Sequence, residues 1–251
     1  MELKSLDQAL SLLSHFSAGT PLLGVRELSA RTGISSSAVQ RMLATFHKHG
    51  LVRQCAETRK YRLGARFWEL GLLFRQQFHL GDAMQALLQA AAEDTGETVY
   101  LNMLEGNEAL CVQIAESRES VKVAIRLGER TPLHAGSRGR AMLAFLPPAR
   151  RAAILDAALA GLPPAEAAAR RDAAEAALAA VRAQGWCLSH GERLAGVVGL
   201  SMPLLDRQGQ VMASVTAGGP GTRMTEAKVA QCLPVLLALG RRLQQQFRTF
   251  G

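Results

Sequence analysis

Between Ser35 and Lys48, the residues Ser37, Gln40, Arg41, Ala44 and Lys48 return at helical spacing, with Ser36 and Thr45 beside them. That face carries hydroxyls, one amide and two cations, and almost no bulky apolar group. Such groups together suit one task, hydrogen bonding to base edges and phosphates in a DNA major groove. Val39, Met42, Leu43 and Phe46 recur on the opposite face and fit a core. The serine run ahead of the stretch supplies an N-cap, and Gly50 marks its end.

A second group lies far along the chain. Residues 128–139 read as a glycine-containing loop with Pro132, His134, Gly136, Ser137 and Arg138, and a helix is expected from Arg140 to Leu146. A hydroxyl, backbone N–H groups at a helix start and a guanidinium suit a carboxylate. Two placements of Arg138 stay open on sequence alone. Either it meets the anion, or it turns to solvent and the backbone holds the anion.

Catalytic arrangements are scarce. Six histidines occur, at positions 15, 47, 49, 79, 134 and 190. Cys187 and His190 stand three apart on an expected strand, which points them to opposite faces. Ser137 sits in Ala-Gly-Ser-Arg-Gly, which lacks the first glycine of a nucleophile elbow. The sequence carries no phosphate loop, dinucleotide fingerprint or metal-ligand spacing. No catalytic residue, metal or cofactor is therefore expected. Three readings remain: a regulated DNA-binding protein, a small-molecule-converting enzyme, and a constitutive DNA-binding protein with an inert C-terminal domain.

Composition separates the chain into parts. Residues 1–80 hold 11 Lys or Arg against 5 Asp or Glu, a net of +6 out of the +8 of all 251 residues. An excess concentrated at one end points to a nucleic-acid-binding segment joined to something else. Cys55, Cys111, Cys187 and Cys232 are scattered and form no CxxC pair. No apolar run spans a bilayer and the start shows no signal-peptide core, so a reduced cytoplasm and no membrane partner are expected.

The polar-faced helix needs neighbours to position it. Leu6, Ala9, Leu10, Leu13 and Phe16 make one helical stripe. Val25 to Thr32 makes a short helix, and Gly33 permits the turn into the Ser35 helix. Helix, glycine turn and polar-faced helix form a helix-turn-helix pattern. Leu51–Gln54 and Lys60–Leu63 then read as hairpin strands, with Arg59 and Lys60 at the tip. This is a wing whose cations reach phosphates. Ala65–Phe78 reads as a linker helix with more apolar surface than a free linker needs, so it pairs with another helix, plausibly from a second subunit. A boundary is expected at Gly81–Asp82.

Beyond it come a helix (82–95), strands at 98–104, 109–115 and 121–126, alanine-rich helices within 149–183, and strands at 186–190, 197–205 and 210–217. Gly218–Gly221 is expected to leave the sheet before a closing helix. Roughly six strands with helices around them indicate an antiparallel, helix-covered sheet, an α+β sensor-like domain.

Nearly the whole chain resembles the IclR family of bacterial transcriptional regulators. The N-terminal signs are SLDQALSLLSHF, VRELSARTG, SSSAVQRMLATFHKHGLV and KYRLG. The C-terminal signs are GERTPLHAGSRGRAMLAFL, LAGVVGLSMPLLDRQGQ and GGPGTRMT. The resemblance implies a winged helix-turn-helix (1–64), a linker helix (65–80) and a GAF-like effector-binding domain (81–251). It also implies a dimer or tetramer on double-stranded operator DNA, modulated by a small organic acid. Ser37, Gln40 and Arg41 match the family's exposed recognition face, and Arg59 and Lys60 its wing. Ser137, Arg138, Ser189, Gly199, Thr216 and Gly218 match pocket positions. Some relatives have an acidic residue at Ser189 and a cysteine at Gly199, and a lysine is usual at Arg140. Losing the acid and the cysteine would leave room for an aromatic acid or a dicarboxylate.

Overall fold

A computed structural model describes residues 3–17, 19–77 and 81–247, which fall into two compact units, 1–78 and 79–251.

The first unit runs α1 (Lys4–Leu13), α2 (Val25–Thr32), α3 (Ser36–Lys48), β1 (Val52–Gln54), β2 (Tyr61–Leu63) and α4 (Arg66–Gln77). Gly33 closes α2 at φ 71°, a left-handed conformation that suits glycine, and its N–H donates to Ser29 O. Ser35 then caps α3 by accepting from Ala38 N–H at 3.4 Å. Leu12, Leu28, Val39, Leu43 and Phe46 meet in one buried cluster, which fixes the turn between α2 and α3 and leaves the other face of α3 outward. Burying each such side chain contributes about 1.5–3 kcal/mol. β1 and β2 pair antiparallel, Arg53 opposite Arg62, and the hairpin seals the cluster with Val52 and Tyr61. A Cβ on Gly64 would lie 2.0 Å from the Gly50 carbonyl oxygen, so only glycine lets the hairpin return against the end of α3. The glycine of the KYRLG run thus has a steric cause. The linker helix is found as α4, and no side chain in it is buried; Phe78 lies outside the described residues.

The second unit runs α5 (Asp82–Thr95), β3 (Thr98–Glu105), β4 (Glu108–Ala115), β5 (Arg130–Pro132), α6 (Gly136–Leu143), α7 (Pro148–Leu159), α8 (Pro164–Gln184), β6 (Cys187–His190), β7 (Val197–Leu205), β8 (Val211–Pro220) and α9 (Glu226–Phe247). Its strands form one antiparallel sheet in the order β5-β4-β3-β8-β7-β6. α5 and α9 pack together against β3, β4, β7 and β8. α6 lies against β6, β7 and β8 with α8 packed on it, and a second apolar core gathers Leu133, Met142, Leu143, Ile154, Leu155 and Leu178.

Three expectations are corrected here. Residues 121–126 alternate like a strand but pair with nothing; the edge of β4 is taken by Arg130–Pro132 instead. β8 does not leave the sheet at Gly218 but continues to Pro220, held by β7 through Val197↔Pro220. α6 starts at Gly136, not Arg140, so Ser137 and Arg138 stand in its first turn rather than in a loop. Gly139 permits this, because a Cβ there would lie 2.7 Å from the Leu133 carbonyl oxygen. Among the described residues no helix is long and apolar enough to cross a membrane.

Candidate functional site

Two sites emerge, one exposed and one enclosed. On α3, Ser36, Ser37, Gln40, Arg41 and Thr45 are all exposed. Gln40 Nε2 donates to the Tyr61 hydroxyl at 3.4 Å, which ties the outer face of α3 to the wing. Thr45 Oγ1 donates back to the Arg41 carbonyl at 3.1 Å. No ion pair holds Arg41 among the described residues.

At the wing, Arg59 adopts φ 57°, left-handed for a residue with a side chain, which the five-residue turn from Cys55 requires. Its carbonyl accepts from Gln54 Nε2 at 2.9 Å. Lys60 is engaged differently: its Nζ lies 2.8 Å from Glu27 Oε1. The hydrogen bond from Lys60 and the one from Gly24 N–H hold the Glu27 carboxyl below its ordinary pKa.

The enclosed site lies at the start of α6. A cavity of about 40 Å³ is bounded by Ser137 and Arg138 of α6, Tyr100 of β3, Ser189 of β6 and Gly199 of β7. Val123 and Ile125, from the segment that is not a strand, close it with Leu194 and Val197. This accounts for part of the alternation: Val123 and Ile125 face the cavity although no strand partners the segment, while Val121 is exposed. The volume admits only a few atoms.

Arg138 is 3% exposed, so its placement is decided: it does not turn to solvent. One Nη donates to Glu129 at 2.7 Å and to the Thr131 hydroxyl, and the guanidinium sits 5.8 Å from the centre of the Tyr100 ring. Its Nη1 is buried with no hydrogen-bond partner. Glu129 also accepts from Arg193. Burial works to raise the Glu129 pKa, but the bond from Arg138 and the charges of both arginines outweigh it and hold it below the ordinary value. Burial pushes the Tyr100 phenol up to about 12 against the pull of Arg138, so it stays protonated. Two arginines thus share the Glu129 carboxylate, and a second carboxylate, Glu192, lines the cavity while paired with Arg140.

The six expected pocket positions divide. Ser137, Arg138, Ser189 and Gly199 bound the cavity. Thr216 and Gly218 do not. Thr216 is fully buried in the sheet behind it, bonded to Ser201, and Gly218 makes room for the Tyr100 ring. The extra space expected at Gly199 is also corrected. A Cβ there would lie 2.6 Å from Ser137 Oγ, so the serine already fills it. Arg140 does not reach the cavity; it donates to the Leu188 carbonyl at 2.9 Å and to Glu192 at 2.8 Å.

Sequence reasoning missed Tyr100, Glu129 and Arg193. Tyr100 reads as an ordinary strand residue. The other two had a signal: the triplet Gly-Glu-Arg occurs at 128–130 and again at 191–193. In both copies the glutamate accepts from an arginine of α6. Cys187 is buried, its thiol pushed up to about 11, and His190 is exposed, so they form no reactive pair.

Comparison with known proteins agrees over both units. The description "Bacterial transcriptional regulator IclR C-terminal" matches residues 74–245, and "IclR helix-turn-helix domain" matches residues 5–55. The chain is 28% identical to the HTH-type transcriptional regulator XynR of Escherichia coli (strain K12), over 96% of this chain and 97% of that one. It is 27% identical to the HTH-type transcriptional regulator BhcR of Paracoccus denitrificans (strain Pd 1222), over 96% and 86%. Among solved structures, an IclR homolog from Microbacterium hydrocarbonoxydans complexed with 4-hydroxybenzoate shares the fold, with a TM-score of 0.78 and 24% identity over 98% and 99% of the two chains.

Proposed function

Because the chain belongs to the IclR family of bacterial transcriptional regulators, we propose that it binds operator DNA as a homo-oligomer and that a small organic acid adjusts the binding. The family is one of DNA-binding regulators, not enzymes. Residues 1–64 bind DNA, 65–80 link, and 81–251 hold the effector. Ser36, Ser37, Gln40, Arg41 and Thr45 face the major groove, and Arg59 and Lys60 face phosphates.

The effector reading rests on one observation, the buried Arg138 Nη1 with no hydrogen-bond partner, on a residue that bounds the cavity. An unpaired buried donor is costly, and a carboxylate would satisfy it. The 4-hydroxybenzoate bound to the Microbacterium homolog is also a monocarboxylate. Here the present volume takes the acid head, and an aromatic body requires the exposed 191–196 loop to move. The ligand regulates by binding one arrangement of the DNA-binding units better than another.

The oligomer rests on Trp68, Leu70 and Leu73 of α4, which stay exposed in the single chain. Two tests apply. Selection of bound fragments from random duplex DNA by the full chain yields a sequence with two half-sites. Calorimetry against monocarboxylates, 4-hydroxybenzoate among them, finds a ligand whose binding Leu194→Trp removes by filling the cavity mouth. A selection without sequence preference, or undiminished binding by Leu194→Trp, would overturn the corresponding half of the proposal.

A further inference from the structure

Behind the cavity the sheet carries polar side chains where apolar ones are usual. Asn102, Ser201, Ser214 and Thr216 are each fully buried. They sit on β3, β7 and β8, on the side that meets α6. Their hydrogen bonds form a line. Asn102 Nδ2 lies 3.4 Å from Thr216 Oγ1, Thr216 Oγ1 lies 2.8 Å from Ser201 Oγ, and Ser201 Oγ lies 2.8 Å from Ser137 Oγ. Ser137 is the member of this line that bounds the cavity.

The line has a direction, and its far end sets it. The Ser214 carbonyl, an acceptor only, lies 3.4 Å from Asn102 Nδ2 and therefore fixes which end of the amide is the NH2. The Ser214 hydroxyl accepts from the same NH2 and spends its own proton on the Arg138 carbonyl at 3.1 Å. The two NH2 protons are shared among three acceptors at 3.4 Å, the Ser214 carbonyl, the Ser214 hydroxyl and Thr216 Oγ1; an amide nitrogen cannot accept, so Thr216 does not donate to it and its proton goes to Ser201. Ser201 then donates to Ser137. The Ser137 proton finds no acceptor among the described residues and is left for the cavity. The reverse order would require Thr216 to donate into an NH2 group.

We propose that Asn102, Thr216 and Ser201 are positioning residues that fix the Ser137 hydroxyl as a donor into the cavity, so that the site selects a carboxylate over its isosteric amide. This rests on the effector reading above. Ser137 and Arg138 Nη1 then offer two donors, and a carboxylate offers two acceptor oxygens. An amide presents an NH2 to one of them. Each link strengthens the next by polarising it. Thr216 therefore matters to the ligand without touching it.

Two measurements test this on the full chain. Neutron diffraction of the deuterated protein locates the hydroxyl protons without any ligand. A deuteron on Ser201 pointing to Ser137 is expected; a deuteron on Ser137 pointing to Ser201 overturns the proposal and leaves the effector reading standing. The second measurement titrates acetate and acetamide by NMR at matched ionic strength. Acetate should bind about tenfold more tightly than acetamide, as expected for one charge-assisted bond kept against one lost. Thr216→Val and Ser201→Ala should each weaken that preference, leaving the part owed to the Arg138 charge, and Thr216→Ser should keep it whole. In a Ser137→Ala background, Thr216→Val should have no further effect. A preference unchanged in Thr216→Val and Ser201→Ala, or a Thr216→Val effect that persists without the Ser137 hydroxyl, overturns the relay alone. Absence of acetate binding to the unaltered chain overturns the effector reading and the relay with it.

Discussion

Arg41, in the middle of α3, and Arg138, in the first turn of α6, each follow a polar neighbour, and the fold treats them in opposite ways. Arg41 stays in water on α3, with no ion pair among the described residues. Arg138 is enclosed with Glu129, Thr131 and the Tyr100 ring. The difference shows how each unit meets its partner. An exposed cation keeps its hydration until a phosphate or base displaces it, so it contributes nothing to folding and waits for a partner. A buried cation has already lost its hydration, so every donor on it must be paired or it weakens the fold. The first unit therefore recognises through a surface, and the second through an incomplete core.

The largest test of that contrast is stability. Arg138→Met leaves Glu129 with Arg193 alone and should cost about 3 kcal/mol, the lower end for breaking a buried pair, because Glu129 keeps one partner. Arg41→Ala should stay within about 0.5 kcal/mol, as exposed substitutions do. Urea unfolding of both variants reads this directly. Equal losses would break the contrast.

The same contrast decides what the sequence discloses. The α3 face is legible because its residues are exposed by one local rule, the helical period, and nothing distant moves them. Gly33 and Ser35 punctuate it by equally local rules. The cavity draws on α6, β3, β6, β7 and two irregular segments, whose meeting depends on strand order. The alternation at Val123 and Ile125 was real, but it reported burial against a cavity and not pairing with a strand, and Val121 before them stays exposed. The helical start at Gly136 was hidden because three glycines and a proline nearby read as loop. It is held by the close fit of Gly139 to Leu133, a tertiary contact that no local rule contains. Thr216 was placed in the right region by resemblance, but only the hydrogen bonds show that it stands behind Ser137.

A second test concerns recognition rather than folding. Arg41→Ala and Gln40→Ala should each lose about 1–3 kcal/mol of discrimination between an operator and a single-base variant. Competition binding with the two duplexes measures it. Gln40 is tied to Tyr61, so its variant should also loosen the wing and lower affinity for both duplexes. Unchanged preference in the Arg41 variant would show that this surface is not the reading face.

A third test separates the two units by salt and pH. Glu27 and Glu129 are both held below the ordinary carboxyl pKa of 4.5, Glu27 with an exposed side chain and Glu129 mostly enclosed. Salt screens exposed charges far more than buried ones. NMR titration in about 1 M salt should therefore return Glu27 toward its ordinary value and leave Glu129 low. The sign for stability follows from the lowered value. Glu129 stabilises the fold at pH above 4.5, and that contribution is lost as the pH falls below 4.5 through the folded pKa. Glu129→Gln should flatten the fall. A Glu129 shift as salt-sensitive as that of Glu27 would mean that the cavity is wet.

The smallest effect expected lies within the first unit, between the two wing cations. Arg59 points from the turn with no ion pair among the described residues, while Lys60 holds Glu27 at 2.8 Å. If the pair survives on DNA, Lys60 brings no net charge to the phosphates and releases no counterion. Arg59→Asn, which keeps the left-handed backbone, should then lower the salt slope of DNA binding by about one unit. Lys60→Gln should lower it by much less, and Glu27→Gln should raise it by freeing Lys60. The affinity changes behind these slopes are modest, because an exposed pair contributes about 0–1 kcal/mol. The slope is the better readout, since it counts charges rather than energies. Equal slope losses for Arg59→Asn and Lys60→Gln would show that DNA pulls Lys60 away from Glu27. The wing would then reorganise on binding, breaking one ion pair before making a phosphate contact, whereas the enclosed unit keeps the unpartnered Arg138 Nη1 ready.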